Sequence, residues 1–300
     1  MTFSLRVPAN FNLRSTITSH GWCVLAPFSA DRDLGTLRLL LRPHGGKPIP
    51  VSVSQTTPAS IVVKSESMLA PSSQKSVTQL LRSMLRLDED YSEFYVESKR
   101  QSGYRWVERA GAGRLLRAPT VFEDVLKMMC TTNCSWALTE VMVANLCRRF
   151  GEEVEDGRHA FPTPEAIADS TEKYIRKEIR AGYRSPYILE LARNAASRKI
   201  DLESWRQSSL PTQQLYEEVG SVKGIGPYAA GNILKLLGRY DYLAIDSWCR
   251  KKFFELHTGG KKRTDKFIER RYEPLGKWRG LFFWLEVTKD WYNGQKAAWD

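Results

Sequence analysis

The sequence predicts an α+β fold, in which a small N-terminal antiparallel sheet domain is followed by a mostly α-helical region. Two observations predict it. The first part of the chain carries short, partly alternating apolar runs separated by turn-forming residues, at 22–26, 36–41, 49–54 and 59–64. After residue 118, helix-capping residues and apolar residues at helical spacing dominate instead. With 300 residues, the chain is long enough to bury a sizeable core in more than one subdomain.

The N-terminal domain is expected to span residues 1–88. Its four apolar runs predict four antiparallel strands, and helices are expected near residues 11–19 and 74–86. Leu81 and Met84 belong to an apolar stripe on the second of these helices, which is most simply explained by packing on the core.

The remaining residues, 89–300, are expected to form the α-helical region. We expect one helical subdomain over 119–245, which contains a hairpin at 222–228. The second helical subdomain is expected to combine 89–118 with 246–300.

Capping residues mark the helix starts in this region. Thr120 and Glu123 have the spacing of a capping box. Thr163 precedes Pro164, as an N-cap does when proline occupies the first helical position. Close to the end of the sequence, apolar residues at helical spacing up to Trp291 predict a last helix that packs on the core.

Residues 222–228 predict a tight hairpin between two helices. Gly224 and Gly226 carry no Cβ, so the backbone can turn sharply and approach a partner closely. Pro227 fits the first turn of the next helix, where its missing N–H is not needed. Such a hairpin leaves unpaired N–H groups at a helix N-terminus, which suits a phosphate group. The residues expected to face the phosphate are Lys223, Gly224, Ile225 and Gly226.

One isolated acid, Asp246, follows Gly226 by 20 residues (246 − 226). A glycine-rich hairpin with a following acid resembles the helix-hairpin-helix (HhH-GPD) superfamily of DNA glycosylases. Segments 130–136, 179–188 and 11–22 are similar to its 8-oxoguanine and 3-methyladenine II branches, so the resemblance covers most of the chain. It implies base excision repair, in which a damaged base is flipped out of duplex DNA and its N-glycosidic bond is hydrolysed. The base implied is an alkylated or oxidised purine.

The resemblance makes Asp246 the catalytic residue. A carboxylate there can stabilise the positive charge that develops on the sugar, and can orient or deprotonate water. The alternative is that Asp246 only caps the helix that follows, which Asp does well. The two interpretations are compatible. Glu217 and Glu218 precede the hairpin and are expected to be solvated.

Further residues correspond by alignment to residues that hold distorted DNA. Asn133 matches the residue that fills the space left by the flipped base, Tyr183 the wedge, and Arg184 a reader of the orphaned base. Simpler explanations are a helix N-cap for Asn133 and a half-buried aromatic for Tyr183. A second arginine that reads the orphaned cytosine in relatives is here Leu138, so strict opposite-cytosine specificity is not implied. Arg250 follows the acid and is expected to bind DNA, or else to lie on a solvated helix face.

Relatives that also nick DNA use a lysine two residues after the second hairpin glycine, and that position is Tyr228. A phenol cannot form the imine that an amine forms, so the sequence predicts a monofunctional glycosylase without AP-lyase activity. Lys223 and Lys235 are the amines that could substitute. The base pocket is expected to contain Tyr228, Asn232 and Trp248, and the last two suit stacking on an electron-poor base. Trp248 could instead belong to the core.

The charge balance agrees with a polyanionic partner. Lys plus Arg outnumber Asp plus Glu by 45 to 34, which gives a net charge of +11. The expected partner is double-stranded DNA containing a damaged base, and the protein is expected to be a monomer. Five cysteines without a signal-like N-terminus indicate reduced thiols in an intracellular protein, cytoplasmic or nucleoid-associated in a bacterium and nuclear in a eukaryote. No stretch approaches the roughly 20 apolar residues that span a membrane.

No metal site or organic cofactor is expected, because the Cys and His residues lack zinc spacing and the four-cysteine iron–sulfur loop of some relatives is missing. The resemblance allows a monovalent cation held by hairpin carbonyls. Two other functions stay open: a bifunctional 8-oxoguanine glycosylase/lyase, and a non-catalytic helix-hairpin-helix DNA-binding protein. Tyr228 argues against the first and Asp246 against the second.

Overall fold

The N-terminal part of the chain forms a five-stranded antiparallel sheet. The structure, a computed structural model, describes residues 1–31, 33–44 and 46–294. The strands are β1 (Thr2–Arg6), β2 (Ser29–Ala30), β3 (Thr36–Leu41), β4 (Ile49–Thr57) and β5 (Ser60–Ser65). They lie in the order β1-β5-β4-β3-β2. Val53 of β4 pairs with Leu37 of β3 and Val63 of β5, and all three are fully buried, so one face of the sheet rests on the core.

The predicted α+β arrangement is confirmed, with differences in individual strands. Three of the predicted strands become β3, β4 and β5. The prediction of a strand at 22–26 is wrong, because Gly21–Val24 is a 3₁₀ helix whose first three residues are buried in succession, whereas a half-buried strand alternates. Strands β1 and β2 were not predicted from the sequence, since β1 buries only Leu5 and β2 is two residues long.

Helices make up most of the rest of the described chain. They are α1 (Leu13–Ile17), α2 (Pro71–Met84), α3 (Ser92–Arg100), α4 (Trp106–Ala110), α5 (Val121–Thr131), α6 (Trp136–Phe150), α7 (Pro164–Ala168), α8 (Glu172–Tyr174), α9 (Ser185–Ala196), α10 (Thr212–Gly220), α11 (Pro227–Leu237), α12 (Ser247–His257), α13 (Asp265–Tyr272), α14 (Arg279–Val287) and α15 (Lys289–Tyr292). The two helices predicted in the N-terminal domain correspond to α1 and α2. The domain boundaries at 88, 118 and 245 stay predictions.

The predicted helix caps form, although the capping box does so only in part. The Thr120 hydroxyl accepts a hydrogen bond from the Glu123 N–H at 3.1 Å, and the Thr163 hydroxyl accepts one from the Ala166 N–H at 3.4 Å. The Glu123 carboxylate does not return to the helix start. It forms a buried ion pair with Lys127, with 2.6 Å between Oε1 and Nζ, because a buried ammonium one turn later needs that charge.

A buried arginine holds the C-terminal end of α11. The Nη2 of Arg86 donates to the carbonyls of Lys235 and Leu236, both at 2.7 Å, and its Nε donates to the Leu115 carbonyl at 2.8 Å. Burial alone would raise the pKa of Glu89, but the charge of Arg86 brings it down to about 2. The cation satisfies the last carbonyls of α11 and so fixes the helix that lines the candidate site.

Across the described residues, no helix combines the length and the apolar composition needed to cross a bilayer. The five cysteines, all of them within the described ranges, form no disulfide bonds. Burial raises the pKa of Cys130 and Cys147 to about 12, so both thiols stay protonated at neutral pH.

Candidate active site

The predicted hairpin joins α10 to α11 at the protein surface. Gly224 has a φ of +89°, and a Cβ at this position would lie 2.9 Å from the Cβ of Tyr187. Glycine is therefore required at position 224 for two reasons: the positive φ angle disfavours other residues, and the Tyr187 side chain leaves no space for a Cβ. Gly226 has a φ of −90° and nothing within 4 Å of a built Cβ, so the turn itself does not need this second glycine. Because Gly226 has no side chain, its backbone is accessible to a ligand immediately before Pro227, the first residue of α11.

Ile225 anchors the hairpin while its neighbours face solvent. Ile225 is buried, and its N–H donates to the Val222 carbonyl at 3.0 Å. The Nζ of Lys223 lies 3.0 Å from Oε1 of Glu190 in α9, and both side chains are exposed. Lys223 is thus already paired, but an exposed ion pair is weak and can yield to a phosphate.

A cavity of about 330 Å³ lies beside α11 and the start of α12. We call it the tryptophan cavity, because its wall includes Trp22, Trp136, Trp248, Trp284 and Trp291. The other lining residues are His20, Gly21, Leu115, Met128, Thr131, Cys134, Thr139, Tyr228, Asn232, Lys235, Leu236, Asp246 and Ser247. A largely aromatic cavity with a few polar groups suits a flat ring system.

Asp246 lines this cavity and is also the N-cap of α12. Its Oδ1 accepts a hydrogen bond from the Cys249 N–H at 2.7 Å, and the residue is half-buried. A carboxylate has two oxygens with two lone pairs each, so the cap leaves acceptor capacity for a second partner. The capping interpretation of Asp246 is confirmed, and the catalytic interpretation, which is compatible with it, stays a prediction.

Tyr228 and Asn232 lie one turn apart on the face of α11 that lines the cavity. The Asn232 Nδ2 donates to the Tyr228 carbonyl at 3.0 Å. Burial raises the pKa of Tyr228 well above its usual value, and the nearby Asp246 carboxylate raises it further. The phenol therefore stays protonated beside the carboxylate.

The tryptophans on the C-terminal side form one connected wall. The ring centroid of Trp248 lies 5.4 Å from that of Trp291 and 6.3 Å from that of Trp284. The Trp284 Nε1 donates to the Ser19 carbonyl at 2.8 Å, which fixes its ring. Trp248 thus belongs both to an aromatic cluster and to the cavity wall. The prediction that Trp291 is only a core residue is incomplete, because this side chain also lines the cavity.

Residues 20–22 form another wall of the cavity, which was not predicted from the sequence. The Trp22 Nε1 donates to Oδ1 of the buried Asp124 at 2.8 Å. A Cβ on Gly21 would lie 2.3 Å from the ring of Trp136, so the two residues are in close contact. Burial lowers the pKa of His20 to about 3, and its imidazole therefore brings no charge.

Lys235 also lines the cavity, although from the sequence it was expected only as an amine that could substitute for the missing lysine at position 228. The side chain is 2% exposed, and its Nζ lies 4.6 Å from the centroid of the Trp284 ring. Burial lowers the pKa of Lys235 to about 8, while the nearby Cys249 and Asp246 act in the opposite direction. Helical spacing could have revealed this position, because Lys235 follows Tyr228 by seven residues, or two turns (235 − 228).

Asn133 lies in the chain between Thr131 and Cys134, two residues of the cavity wall, and it contacts Tyr183. The Asn133 Nδ2 donates to the Tyr183 hydroxyl at 3.2 Å, and both side chains are exposed. Asn133 has a φ of +47° and is not an N-cap, because Ser135 fills that position for α6. The structure thus brings together two residues that only the resemblance connected.

Arg184 is buried in this structure, and its predicted role as a reader of the orphaned base stays a prediction. The side chain is 5% exposed, its Nη2 donates to the Thr132 carbonyl, and its Nε donates to the Thr132 hydroxyl at 3.3 Å. Its guanidinium carbon also lies 4.6 Å from the centroid of the Tyr183 ring. In this conformation Arg184 supports the turn that carries Asn133.

Arg250 is likewise engaged. Its Nε and Nη2 contact the two carboxylate oxygens of Asp265, each at 2.6 Å, in a partly exposed pair. A bidentate pair of this kind fixes the guanidinium, so a DNA contact by Arg250 would have to be shared with Asp265.

Residues 126–276 match the family model described as "HhH-GPD superfamily base excision DNA repair protein". The match spans half of the chain and includes the hairpin, Asp246 and much of the tryptophan cavity. The chain therefore belongs to the HhH-GPD superfamily of base excision DNA repair proteins.

Individual relatives are more distant. A "Probable N-glycosylase/DNA lyase" of Methanothermobacter thermautotrophicus is 22% identical over 242 residues, which cover 72% of this chain and 76% of that protein. The 3-methyladenine DNA glycosylase of Archaeoglobus fulgidus has a similar structure, with a TM-score of 0.76 at 22% identity and coverage of 96% and 98% of the two chains. The 8-oxoguanine glycosylase/lyase of Clostridium acetobutylicum, solved with double-stranded DNA, has a TM-score of 0.75 at 20% identity, covering 98% of each chain. At these identities the structural likeness shows the shared fold.

Proposed function

We propose that this protein is a monofunctional DNA glycosylase that removes a damaged purine, alkylated or oxidised, from double-stranded DNA. The observation that carries the proposal is the position of Asp246, whose carboxylate lines a 330 Å³ aromatic cavity beside an exposed helix-hairpin-helix turn. Relatives named as glycosylases for 8-oxoguanine and 3-methyladenine support the reaction class. The protein acts as an intracellular monomer, because its substrate is genomic DNA and one chain supplies every part of this site.

The DNA-binding surface consists of the hairpin and the turn at the cavity edge. The open backbone at Gly226 and the N-terminal end of α11 suit a phosphate. Asn133 and Tyr183 are exposed beside the cavity, where they can fill and wedge the space that a flipped nucleotide leaves. Lys223 and Arg250 supply positive charge from ion pairs that phosphate can rearrange. Flipping costs on the order of a few kcal/mol, which these contacts must offset.

The chemistry follows from the free capacity of the Asp246 carboxylate. The bond between the sugar C1′ and the base nitrogen breaks, its electron pair leaves with the base, and positive charge develops on the sugar. The Asp246 carboxylate, which is part of the cavity wall, stabilises the positive charge on the sugar of the flipped nucleotide. A water molecule then adds its oxygen to C1′ and gives up its proton, with Asp246 as the base, and the departing base takes a proton from solvent. The products are a free base and an abasic site.

We infer from Tyr228 that the protein does not cleave the DNA strand. Lyase chemistry needs an amine that condenses with C1′, and Tyr228 occupies the position where nicking relatives carry one. Its buried phenol stays protonated, because its pKa is raised. A monovalent cation at the hairpin is compatible with the backbone, since Val222 and Gly226 each accept one hydrogen bond and keep a second lone pair. No step of the proposed chemistry needs that cation.

Single-turnover excision tests the proposal. Duplexes containing 8-oxoguanine, hypoxanthine, 7-methylguanine, uracil or no lesion are treated with wild type and with Asp246→Asn, and each is analysed with and without alkali. Strand cleavage at one lesion that requires alkali and is lost in Asp246→Asn is the expected result. A protein that binds all duplexes tightly and excises nothing would instead be a non-catalytic DNA-binding protein.

A bifunctional glycosylase/lyase is the second candidate, and Lys235 is the observation that favours it. Its amine lies in the same cavity as Asp246, and burial lowers its pKa to about 8. Borohydride reduction in the presence of lesion DNA distinguishes the two candidates. A covalent adduct that disappears in Lys235→Met, together with nicking that needs no alkali, would establish the lyase.

A further inference from the structure

Among the described residues, the Lys235 side chain differs from the other buried basic side chains in having no hydrogen bond and no ion pair within 4.0 Å, although the Asp246 carboxylate is near enough to raise its pKa against the effect of burial. Within the described ranges, no residue accepts a hydrogen bond from its Nζ, although the side chain is only 2% exposed. Lys127 provides the comparison. It is as deeply buried and lies 4.1 Å from the Phe28 ring centroid, but its Nζ is also 2.6 Å from a Glu123 oxygen. Lys127 is paired with an anion by the fold, whereas no described residue pairs with the three donors of Lys235.

The surroundings of Lys235 direct those donors toward a ligand in the tryptophan cavity. Tyr228, Asn232 and Lys235 follow each other along one face of α11, and all three line the cavity. The Trp284 ring, which the ammonium contacts, is fixed by its hydrogen bond to Ser19. An unpaired ammonium in a cavity is unfavourable unless something that enters the cavity satisfies it.

The chemistry of an ammonium restricts what that ligand can be. It donates and cannot accept, so of the exocyclic groups that a purine can carry it pairs with a carbonyl oxygen and not with an amino group. Aromatic walls alone would favour a cationic base. Here the face of Trp284 already holds a cation, which repels a second positive charge at that ring, while the Asp246 carboxylate of the same cavity is assigned to the charge on the sugar.

We propose that Lys235 is the specificity-determining residue of the cavity and selects a neutral purine bearing an exocyclic carbonyl over a cationic N-alkylated purine. This inference rests on the proposed glycosylase function. An oxidised and a deaminated purine share the required carbonyl, so both belong to the selected class. Trp248 and Asn232 alone suit an electron-poor alkylated base. The selectivity proposed for Lys235 replaces that expectation with a neutral purine that carries a carbonyl.

The test compares excision rates of wild type and Lys235→Met under single-turnover conditions. Methionine keeps most of the length and volume of lysine but removes the charge and the donors. The substrates are duplexes with 8-oxoguanine, hypoxanthine or 7-methylguanine, the last of which carries a carbonyl together with a positive charge. Lys75→Met, on the exposed side of α2, is the matched control.

Wild type is expected to excise 8-oxoguanine or hypoxanthine faster than 7-methylguanine. Lys235→Met should lower that preferred rate by about 10- to 100-fold, the worth of a hydrogen bond to a charged group, and leave 7-methylguanine unchanged or faster. Equal losses on all three lesions would overturn the inference, since they would mean that Lys235 only supports the fold. A wild-type preference for 7-methylguanine, or a borohydride adduct on Lys235, would also overturn it.

A binding measurement separates failure of the inference from failure of the proposed function. Quenching of tryptophan fluorescence reports binding of free hypoxanthine, whose exocyclic oxygen accepts, and of free adenine, whose amino group donates. Hypoxanthine should bind wild type and Asp246→Asn about 10-fold more tightly than adenine, and Lys235→Met should lose this preference. If no lesion is excised but the preference is present, the proposed function fails and the inference stands. If wild type shows no preference, the inference fails whatever the excision assay shows.

Discussion

Oδ1 of Asp246 accepts a hydrogen bond from the Cys249 backbone N–H at 2.7 Å, so the proposed catalytic residue also starts helix α12. The two roles can be separated, because Asn caps a helix about as well as Asp but carries no charge. Asp246→Asn should lower the single-turnover excision rate by about 100- to 1,000-fold. Its free energy of unfolding should change by only a few tenths of a kcal/mol.

Asp246→Ala is the comparison variant, because it removes the cap together with the charge and should lose about 1 kcal/mol of stability. Thermal and urea unfolding of both variants, with the excision rates, check this. An Asp246→Asn protein that excises at the wild-type rate would leave only the capping role.

Replacing Tyr228 by lysine should add lyase chemistry. The new amine would occupy the position where nicking relatives carry theirs, beside the Asp246 carboxylate. We expect Tyr228→Lys to give at least about 10 times more borohydride-trapped adduct on abasic-site duplexes than wild type does. Tyr228→Phe is the control and should trap no more than wild type. Equal trapping by all three proteins would mean that the amine at position 228 has no access to C1′.

Adding one methyl group at Gly21 should disturb the cavity. The new Cβ would lie 2.3 Å from the Trp136 ring, so the ring must move. We expect Gly21→Ala to slow excision by about 10-fold or more, since small displacements from the productive geometry are costly, while duplex affinity in a filter-binding or anisotropy assay changes little. Gly103→Ala is the matched control, because nothing lies within 4 Å of a Cβ there. A Gly21→Ala protein with normal excision would show that Trp136 can move without consequence.

Lys235→Met should stabilise the protein at neutral pH. Burial lowers the pKa of Lys235 from its usual 10.5 to about 8, so at pH 7 the folded protein holds a charge that the unfolded chain solvates better. The variant should gain up to about 3 kcal/mol there, at 1.36 kcal/mol per unit of pKa.

The gain from Lys235→Met depends on pH in a defined way. Between pH 8 and 10.5 the unfolded chain binds the proton more tightly, so wild type gains stability as the pH rises and the advantage of the variant shrinks. Urea unfolding of wild type, Lys235→Met and Lys75→Met at pH 7 and near pH 10 measures this difference. A variant that is less stable than wild type at pH 7 would contradict the argument.

Freeing Lys223 from Glu190 should strengthen DNA binding. The two exposed side chains are paired at 3.0 Å, and a phosphate must displace the carboxylate. Glu190→Gln should raise duplex affinity a few-fold, roughly the effect of removing a surface ion pair. Lys223→Met should lower it and reduce the slope of log affinity against log salt by about one. Titrations between 50 and 200 mM salt, on the order of the physiological range, measure both effects. An unchanged slope in Lys223→Met would exclude a phosphate contact by this residue.

The sequence predicts those parts of the site that depend on local structure. The hairpin, Pro227 at the start of α11 and Asp246 at the start of α12 all follow from turn and capping chemistry, which acts over a few residues. The position of Lys235 in the cavity wall could have been predicted for the same reason, since two helical turns place it on the face of α11 that carries Tyr228.

The rest of the site depends on contacts between distant segments. Trp22 lines the cavity because its indole N–H binds Asp124, and no pattern around residue 22 reveals that partner. The same applies to Arg184, whose guanidinium binds Thr132 across 52 residues of chain. A buried hydrogen bond of this kind decides where a side chain points, and only the assembled fold shows it.

The hydrogen bond from Trp284 to the Ser19 carbonyl joins residues 265 positions apart. The tryptophan cavity is thus closed by segments that leave the ribosome first and last among its wall residues. A nascent chain that has emerged only as far as α12 already carries the hairpin and the Asp246 carboxylate, yet it lacks Trp284 and Trp291. The hairpin proposed to bind phosphate is therefore synthesised before the cavity proposed to receive a flipped base can close.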